Sequence, residues 1–284
     1  MDSSLPVVRK ALTVAGSDSG GGAGIQADLK TFASFGVYGT SALSAVTAQN
    51  TIEVVAIAEV PEEVVAAQID AILEDIGADA AKTGMLSSGS IIATVADRLQ
   101  AWGIANLVVD PVMVAKSGDR LLQLEAIDEL KATLLPIALI VTPNLPEAEV
   151  ISGITIRTEA DARRAAEVIA SLGPSYVVIK GGHRFDAPID LVYDGQHFYE
   201  LPAERIETPN THGTGCTFSA AITAELALGS SPLDAIASAK SYVTAALRAS
   251  YLVGSGHSPV NHFHSISIPA TRIRHEYRRI GDDA

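Results

Sequence analysis

Cysteine is nearly absent: Cys216 is the only one in 284 residues. That excludes an intramolecular disulfide framework and fits a reducing compartment. Positive charge is also scarce. Twenty Lys and Arg stand against 33 Asp and Glu, for a net charge of −13. Bulk electrostatics therefore argue against nucleic acid or an anionic membrane as a partner. A phosphorylated small molecule stays open, because a local nest of amides holds an anion even inside an acidic protein. Long apolar runs are missing as well. The longest, such as 137–141, are strand-sized, so no segment is expected to span a bilayer. The apolar stretch after Arg9 and Lys10 stops at Gly16 and Ser17 and does not read as a signal peptide. No G-x-x-x-x-G-K-[ST] occurs, which excludes a P-loop enzyme. With no Pro/Gly/Ser-rich linker, internal repeat or low-complexity tract, one domain over 1–268 is expected, in the cytoplasm, with a frayed tail over 269–284.

What is present alternates. Short apolar strands are expected at 12–15, 41–47, 53–60, 78–82, 106–110, 137–141 and 177–180. Helical patterns fall between them at 25–35, from 61 onward, and at 91–102, 124–134, 158–172 and 231–250. Asp194-Gly195 signals a hairpin. Strands alternating with helices mean βαβ units and a mostly parallel sheet covered on both faces.

Ligands in such sheets bind beyond the carboxyl ends of the strands, and the chemistry-bearing residues recur there. The most informative stretch is Asn210-Thr211-His212-Gly213-Thr214-Gly215-Cys216-Thr217. Its glycines let the backbone turn sharply, and the alanine-rich helix that follows adds unpaired amides and a positive dipole end. Together these make an anion site suited to phosphate. At that position Cys216 is expected to have a lowered pKa and to favour thiolate. Asp110 and Glu147 are candidate acids for a divalent cation of the magnesium type. Lys180, before two glycines, offers a charge partner for phosphate. Gln49 and Asn50 offer amide groups to a heterocycle edge.

Two other patterns are weighed and set aside. Gly22-Ala23-Gly24-Ile25-Gln26-Ala27 fits G-x-G-x-x-[GA], but no acid ends the next strand near Thr47 to hold a ribose. His257, His262 and His264 lack a strong ligand spacing, so packing or solvent exposure is expected for them.

Taken together, several phrases resemble the hydroxymethylpyrimidine/phosphomethylpyrimidine kinases of thiamine biosynthesis. They are Ala15-Gly16-Ser17-Asp18, 21–30, Ala48-Gln49-Asn50-Thr51, Lys82-Thr83-Gly84-Met85-Leu86, and Asp110-Pro111-Val112-Met113 with Lys116-Ser117-Gly118. Thr142–Ala148, Lys180-Gly181-Gly182-His183, Asn210–Thr217 and Pro259–His264 belong to the same set. The resemblance covers about residues 10–265. It implies a ribokinase-like fold, an α/β/α sandwich of three layers, usually a homodimer. It also implies Mg-ATP-dependent phosphorylation of the pyrimidine's hydroxymethyl group, then of the monophosphate, with potassium dependence left open. By position, Gly16, Asp28 and Gln49 would contact the pyrimidine, with Met85 and Val112 packing nearby. Asp110 and Glu147 would act through magnesium, and Lys180, Asn144, Thr211 and Lys240 would border the nucleotide. Gly213, Thr214, Gly215 and Cys216 would form the anion hole, with Cys216 as base. A pyridoxal kinase of the same fold is the nearest rival, and an apolar residue is usual there in place of Gln49.

Overall fold

A computed structural model describes residues 7–113, 126–181, 189–202 and 204–266. The 116–118 and 182–183 parts of the motifs, and the tail expected to fray, lie outside these residues. The elements run in the order β1 (Lys10–Asp18), α1 (Gly24–Ser34), β2 (Tyr38–Gln49), β3 (Val54–Glu59) and α2 (Glu62–Asp75). Next come β4 (Ala80–Thr83), α3 (Gly89–Ala101), β5 (Leu107–Val109), α4 (Ala126–Glu129), β6 (Ile140–Val141), α5 (Leu145–Ser152) and α6 (Glu159–Ala170). The chain closes with β7 (Tyr176–Ile179), β8 (Ile189–Tyr193), β9 (Phe198–Pro202), α7 (Thr214–Leu228) and α8 (Pro232–Arg248).

The strands form one sheet in the order β3-β2-β1-β4-β5-β6-β7-β8-β9. β2, β1, β4, β5, β6 and β7 are parallel neighbours, while β3, β8 and β9 join antiparallel at the two margins. The central strands are apolar on both faces, because helices cover both. Successive residues of β1 show why: Leu12 and Val14 pack under α2, α3, α5 and α6, whereas Ala11 faces α1, α7 and α8. This is the expected sandwich of three layers, with two apolar cores. Helix α7 is buried on nearly every side, from Phe218 through Ala227, as its all-round apolar sequence requires. Its first turn is therefore held rigidly at the carboxyl edge of the sheet.

Several expectations change. Strand β1 runs five residues beyond the reading of 12–15, and β2 five beyond that of 41–47. The expected helix over 124–134 is α4 followed by a π turn at Leu130–Leu134 and a 3₁₀ turn at Leu135–Ile137, where Pro136 interrupts the α pattern. Those turns also consume the start of the strand expected over 137–141, leaving only Ile140–Val141. Helix α5 was not expected. Asn144 caps it: the Asn144 side chain accepts from the Glu147 amide at 2.9 Å, and the Glu147 carboxylate accepts from the Asn144 amide at 2.7 Å. That reciprocal pair satisfies two otherwise unpaired donors.

Candidate active site

The carboxyl ends of the strands and the start of α7 enclose one cavity of about 780 Å³. It is lined by Gly16, Asp28, Gln49, Met85, Val112, Asp110, Asn144, Glu147, Lys180, Thr211, Gly213, Thr214, Gly215, Cys216 and Lys240, but not by Asn50, whose Oδ1 accepts from the Ile52 and Glu53 amides within its own loop. Residues 200 apart in sequence meet because parallel strands deliver their ends to one edge.

The anionic end is built around α7. Gly213 is its N-cap at φ 75°, a left-handed conformation that favours glycine, and no side chain caps the helix. A Cβ there would also sit 1.8 Å from the Gly22 carbonyl oxygen. Next to it, a Cβ on Gly215 would lie 3.6 Å from Lys180 Nζ and 3.7 Å from an Asp110 oxygen. The uncapped amides thus adjoin a buried charge cluster. Lys180 Nζ donates to Asp110 Oδ1 at 2.9 Å and stands 4.0 Å from Glu147 Oε2. Asp110 also accepts from Thr142 Oγ1 at 3.2 Å and from Ser219 Oγ at 3.4 Å. Burial pushes the Glu147 carboxyl up to about 7 despite Lys180, with Asp110 adding repulsion. Two carboxylates share one ammonium, so the cluster has room for more positive charge.

The opposite end holds Gln49, at the close of β2. Its Oε1 accepts from Thr47 Oγ1 at 3.3 Å, and its side-chain nitrogen makes no hydrogen bond among the described residues. Gly16 lies against Met85, whose sulfur would be 3.0 Å from a Cβ at Gly16. Asp28 lines the cavity, but both its oxygens hold buried partners: Lys82 Nζ at 2.7 Å and Thr13 Oγ1 at 2.7 Å. Lys82 is fully buried. Burial works against its charge, but Asp28, Cys216 and Asp110 together raise its pKa. Lys240 is likewise engaged, donating to Asp190 Oδ2 at 2.6 Å. The sequence assigned no role to Lys82, Asp190, Asp18 or His212; the local signals were charged residues on apolar strands for the first three and, for His212, its place in the glycine-rich phrase before α7.

The expectation of a Cys216 thiolate is corrected. Burial pushes the thiol up to about 12, although Lys82 and the Gly24 amide work the other way. Desolvation disfavours the charged form, and the carboxylates of Asp28 and Asp110 add to it, so the free protein favours the thiol.

His262, read from sequence as packing or exposure, is packing. It is 1% exposed, and its Nε2 pairs with Thr217 Oγ1 at 3.0 Å in the first turn of α7. Burial chiefly, with Lys30 nearby, pushes its pKa down to about 4. An unfolded histidine titrates near 6.5, so between these values the unfolded chain binds the extra proton. Stability from this group is complete above about pH 6.5 and is lost as pH falls toward 4, by about 3 kcal/mol in all. Glu147, raised to about 7, acts with the opposite sign, so the difference between proteins is the useful quantity. Urea midpoints of His262→Gln are expected to fall less than the parent's between pH 7 and 4.5. Parallel declines would contradict this.

Comparison with known proteins agrees with the geometry. The phosphomethylpyrimidine kinase family model matches residues 18–261. A hydroxymethylpyrimidine/phosphomethylpyrimidine kinase of Rhizobium meliloti is 52% identical over 89% of this chain and 97% of its own length. Among solved structures, an ADP complex of Bacillus subtilis pyridoxal kinase superposes with a TM-score of 0.85 at 42% identity, covering 91% of this chain and 99% of that one. A phosphomethylpyrimidine kinase from Clostridium difficile gives 0.75 at 44% identity, covering 83% and 98%. The chain therefore belongs to the phosphomethylpyrimidine kinase family, ribokinase-like in fold.

Proposed function

We propose that this kinase moves the γ-phosphoryl group of ATP to the hydroxymethyl group of 4-amino-5-hydroxymethyl-2-methylpyrimidine. A second transfer converts the monophosphate to the pyrophosphate used in thiamine assembly. What supports this most is the meeting, in one cavity, of the uncapped α7 terminus, the Lys180–Asp110–Glu147 cluster and Gln49. The names of the relatives point the same way.

Each residue has a physical task. The amides of Gly213, Thr214, Gly215 and Cys216 receive charge on the moving phosphoryl group, a donor role worth roughly 3 kcal/mol apiece. Lys180 neutralises phosphate oxygens, with Asn144, Thr211 and Lys240 bordering the nucleotide. Asp110 and Glu147 are two carboxylates beside a phosphate site, the sparse oxygen set that magnesium takes, and the raised Glu147 carboxyl marks a place that favours added positive charge. When bound there, magnesium supplies further charge neutralisation. Gly16, Gln49, Met85 and Val112 receive the pyrimidine, Asp28 backs them with its oxygens held by Lys82 and Thr13, and Cys216 takes the acceptor's proton. The single cysteine and the use of ATP support a cytoplasmic location. A homodimer is supported by the family and by the exposed apolar residues Val46, Val55 and Ile57 at the β2–β3 margin.

Gln49 pairs a donor and an acceptor with the amino-pyrimidine edge. Its replacement, Gln49→Met, is expected to weaken pyrimidine binding by about 10-fold or more, the worth of a lost buried hydrogen bond, and to leave ATP nearly unchanged. Calorimetric titration with each ligand checks this, and equal losses for both would refute the assignment.

A pyridoxal kinase activity is the second reading, favoured by the close superposition on the Bacillus subtilis pyridoxal kinase. Initial rates with the pyrimidine alcohol and with pyridoxal, compared as kcat/KM, separate the two. The pyrimidine is expected to be preferred, and preference for pyridoxal would reverse the proposal.

A further inference from the structure

Two glycine-rich loops meet at the floor of the cavity: 20–24, between β1 and α1, and 211–215, which leads into α7. Their backbones touch where Gly213 faces the Gly22 carbonyl. A single carboxylate ties them together. Asp18, the last residue of β1 and 3% exposed, accepts from the Gly20 amide at 2.7 Å, the Gly22 amide at 3.0 Å and the Ala23 amide at 2.8 Å. Its Oδ2 also pairs with His212 Nε2 at 2.9 Å across 194 residues of sequence. His212 is itself buried and anchored, its amide donating to the Ser258 carbonyl at 3.2 Å. A Cβ on Gly22 would fall 2.4 Å from His212 Cδ2, so the imidazole lies directly on the glycine backbone. Burial works against the Asp18 charge, but the bonds from His212, Ala23 and Gly20 outweigh it and hold the carboxyl below its usual value.

This clasp spans the two ends of the cavity. Asp18 shapes the loop beside Gly16, Gly24 and Gln49, and His212 immediately precedes the amides of 213–216. We propose that His212, through Asp18, is a positioning residue that fixes the distance between the acceptor alcohol and the phosphoryl-binding amides. It acts on the register between the two substrates, not on the affinity for either. A misplacement of about 1 Å in such a register costs about 100-fold in rate. The inference rests on the kinase reading above for its kinetic part.

The test uses the full chain and the variants His212→Ala, His212→Gln, Asp18→Asn and the double His212→Ala/Asp18→Asn. His212→Ala is expected to lose about 100-fold in kcat, with KM for the alcohol and for ATP within about threefold of the parent. Glutamine keeps a donor near Nε2, so His212→Gln recovers at least about tenfold over alanine. The double variant is expected to be no slower than the slower single variant, because both remove one bond. Amide hydrogen exchange at Thr214 and Thr217, which donate to the Thr211 and Gly213 carbonyls at 3.3 and 2.8 Å, gives a readout independent of activity without substrates, and is expected to speed up at least about tenfold in His212→Ala. Unchanged exchange, turnover of His212→Ala within threefold of the parent, or no recovery by glutamine overturns the proposal. So does an Asp18→Asn protein as active as the parent, since His212 would then act on substrate directly. If His212→Ala does not fold, His212→Gln decides: a kcat within about tenfold of the parent with KM unchanged upholds it, and a larger loss overturns it. A parent protein that transfers no phosphate to the alcohol sinks the kinase reading alone, and the exchange measurement still judges the clasp.

Discussion

Cys216→Ala is expected to lower kcat for the pyrimidine alcohol by about 10²–10⁴-fold, the usual range for loss of a positioned base, with little change in KM. Loose phosphoryl transfer demands little activation of the nucleophile. The acceptor oxygen becomes acidic only as its bond to phosphorus forms, and the role proposed for Cys216 is to take the proton then. In that role it acts as thiolate, the form that burial disfavours by pushing the thiol up to about 12. Lys82 and the Gly24 amide are the groups that favour the charged form. Two consequences follow. At pH 8, alkylation of Cys216 in the free protein by iodoacetamide is expected to run roughly 50-fold slower than for an ordinary exposed thiol, the scarcity of thiolate being partly offset by its greater nucleophilicity. Cys216→Ser is expected to be nearly as slow as Cys216→Ala, because a hydroxyl keeps the hydrogen bond but ionises with more difficulty. Rapid turnover by the serine variant would assign the sulfur to hydrogen bonding and end its role as base.

Lys180→Met carries the other large effect. Its ammonium pairs with Asp110 and, in the proposed role, also neutralises phosphate; activity and stability report on the two separately. Losing a charge aimed at phosphate is expected to cost about 10²–10³-fold in kcat. Losing the partner of Asp110, a carboxylate only 2% exposed, leaves a buried unpaired charge and costs about 3–5 kcal/mol of stability. For a chain of this size that lowers Tm by about 10 °C. Lys180→Met/Asp110→Asn removes the stranded charge. It is expected to regain most of the Tm; turnover stays low because Asp110 is itself proposed to act through magnesium. A Tm no higher than that of Lys180→Met would mean that Asp110 does not depend on Lys180 for its charge.

Much of the fold was legible because the strands are short apolar runs and the helices between them have polar faces and caps, as at Thr158, whose side chain accepts from the Asp161 amide at 3.2 Å. The cavity followed from one rule, that parallel strands present their carboxyl ends together, and it gathers Gly16, Gln49, Asp110 and Lys180 as that rule requires. What escaped was tertiary. Nothing local to Cys216 reveals the burial that overrides the helix dipole. Nothing near His262 reveals that it seals the first turn of α7 through Thr217. The clasp between Asp18 and His212 joins residues from opposite ends of the chain. Helix α5 was a local miss of another kind: Asn144 and Glu147 have the capping-box spacing, and Pro146 stands in the first turn, where proline is tolerated.

The most direct test of the whole account follows phosphate from labelled ATP into 4-amino-5-hydroxymethyl-2-methylpyrimidine, and separately into its monophosphate. Two transfers per pyrimidine are predicted, with the monophosphate appearing first and the pyrophosphate accumulating from it. Absence of label in either product, with folded protein and magnesium present, would contradict it.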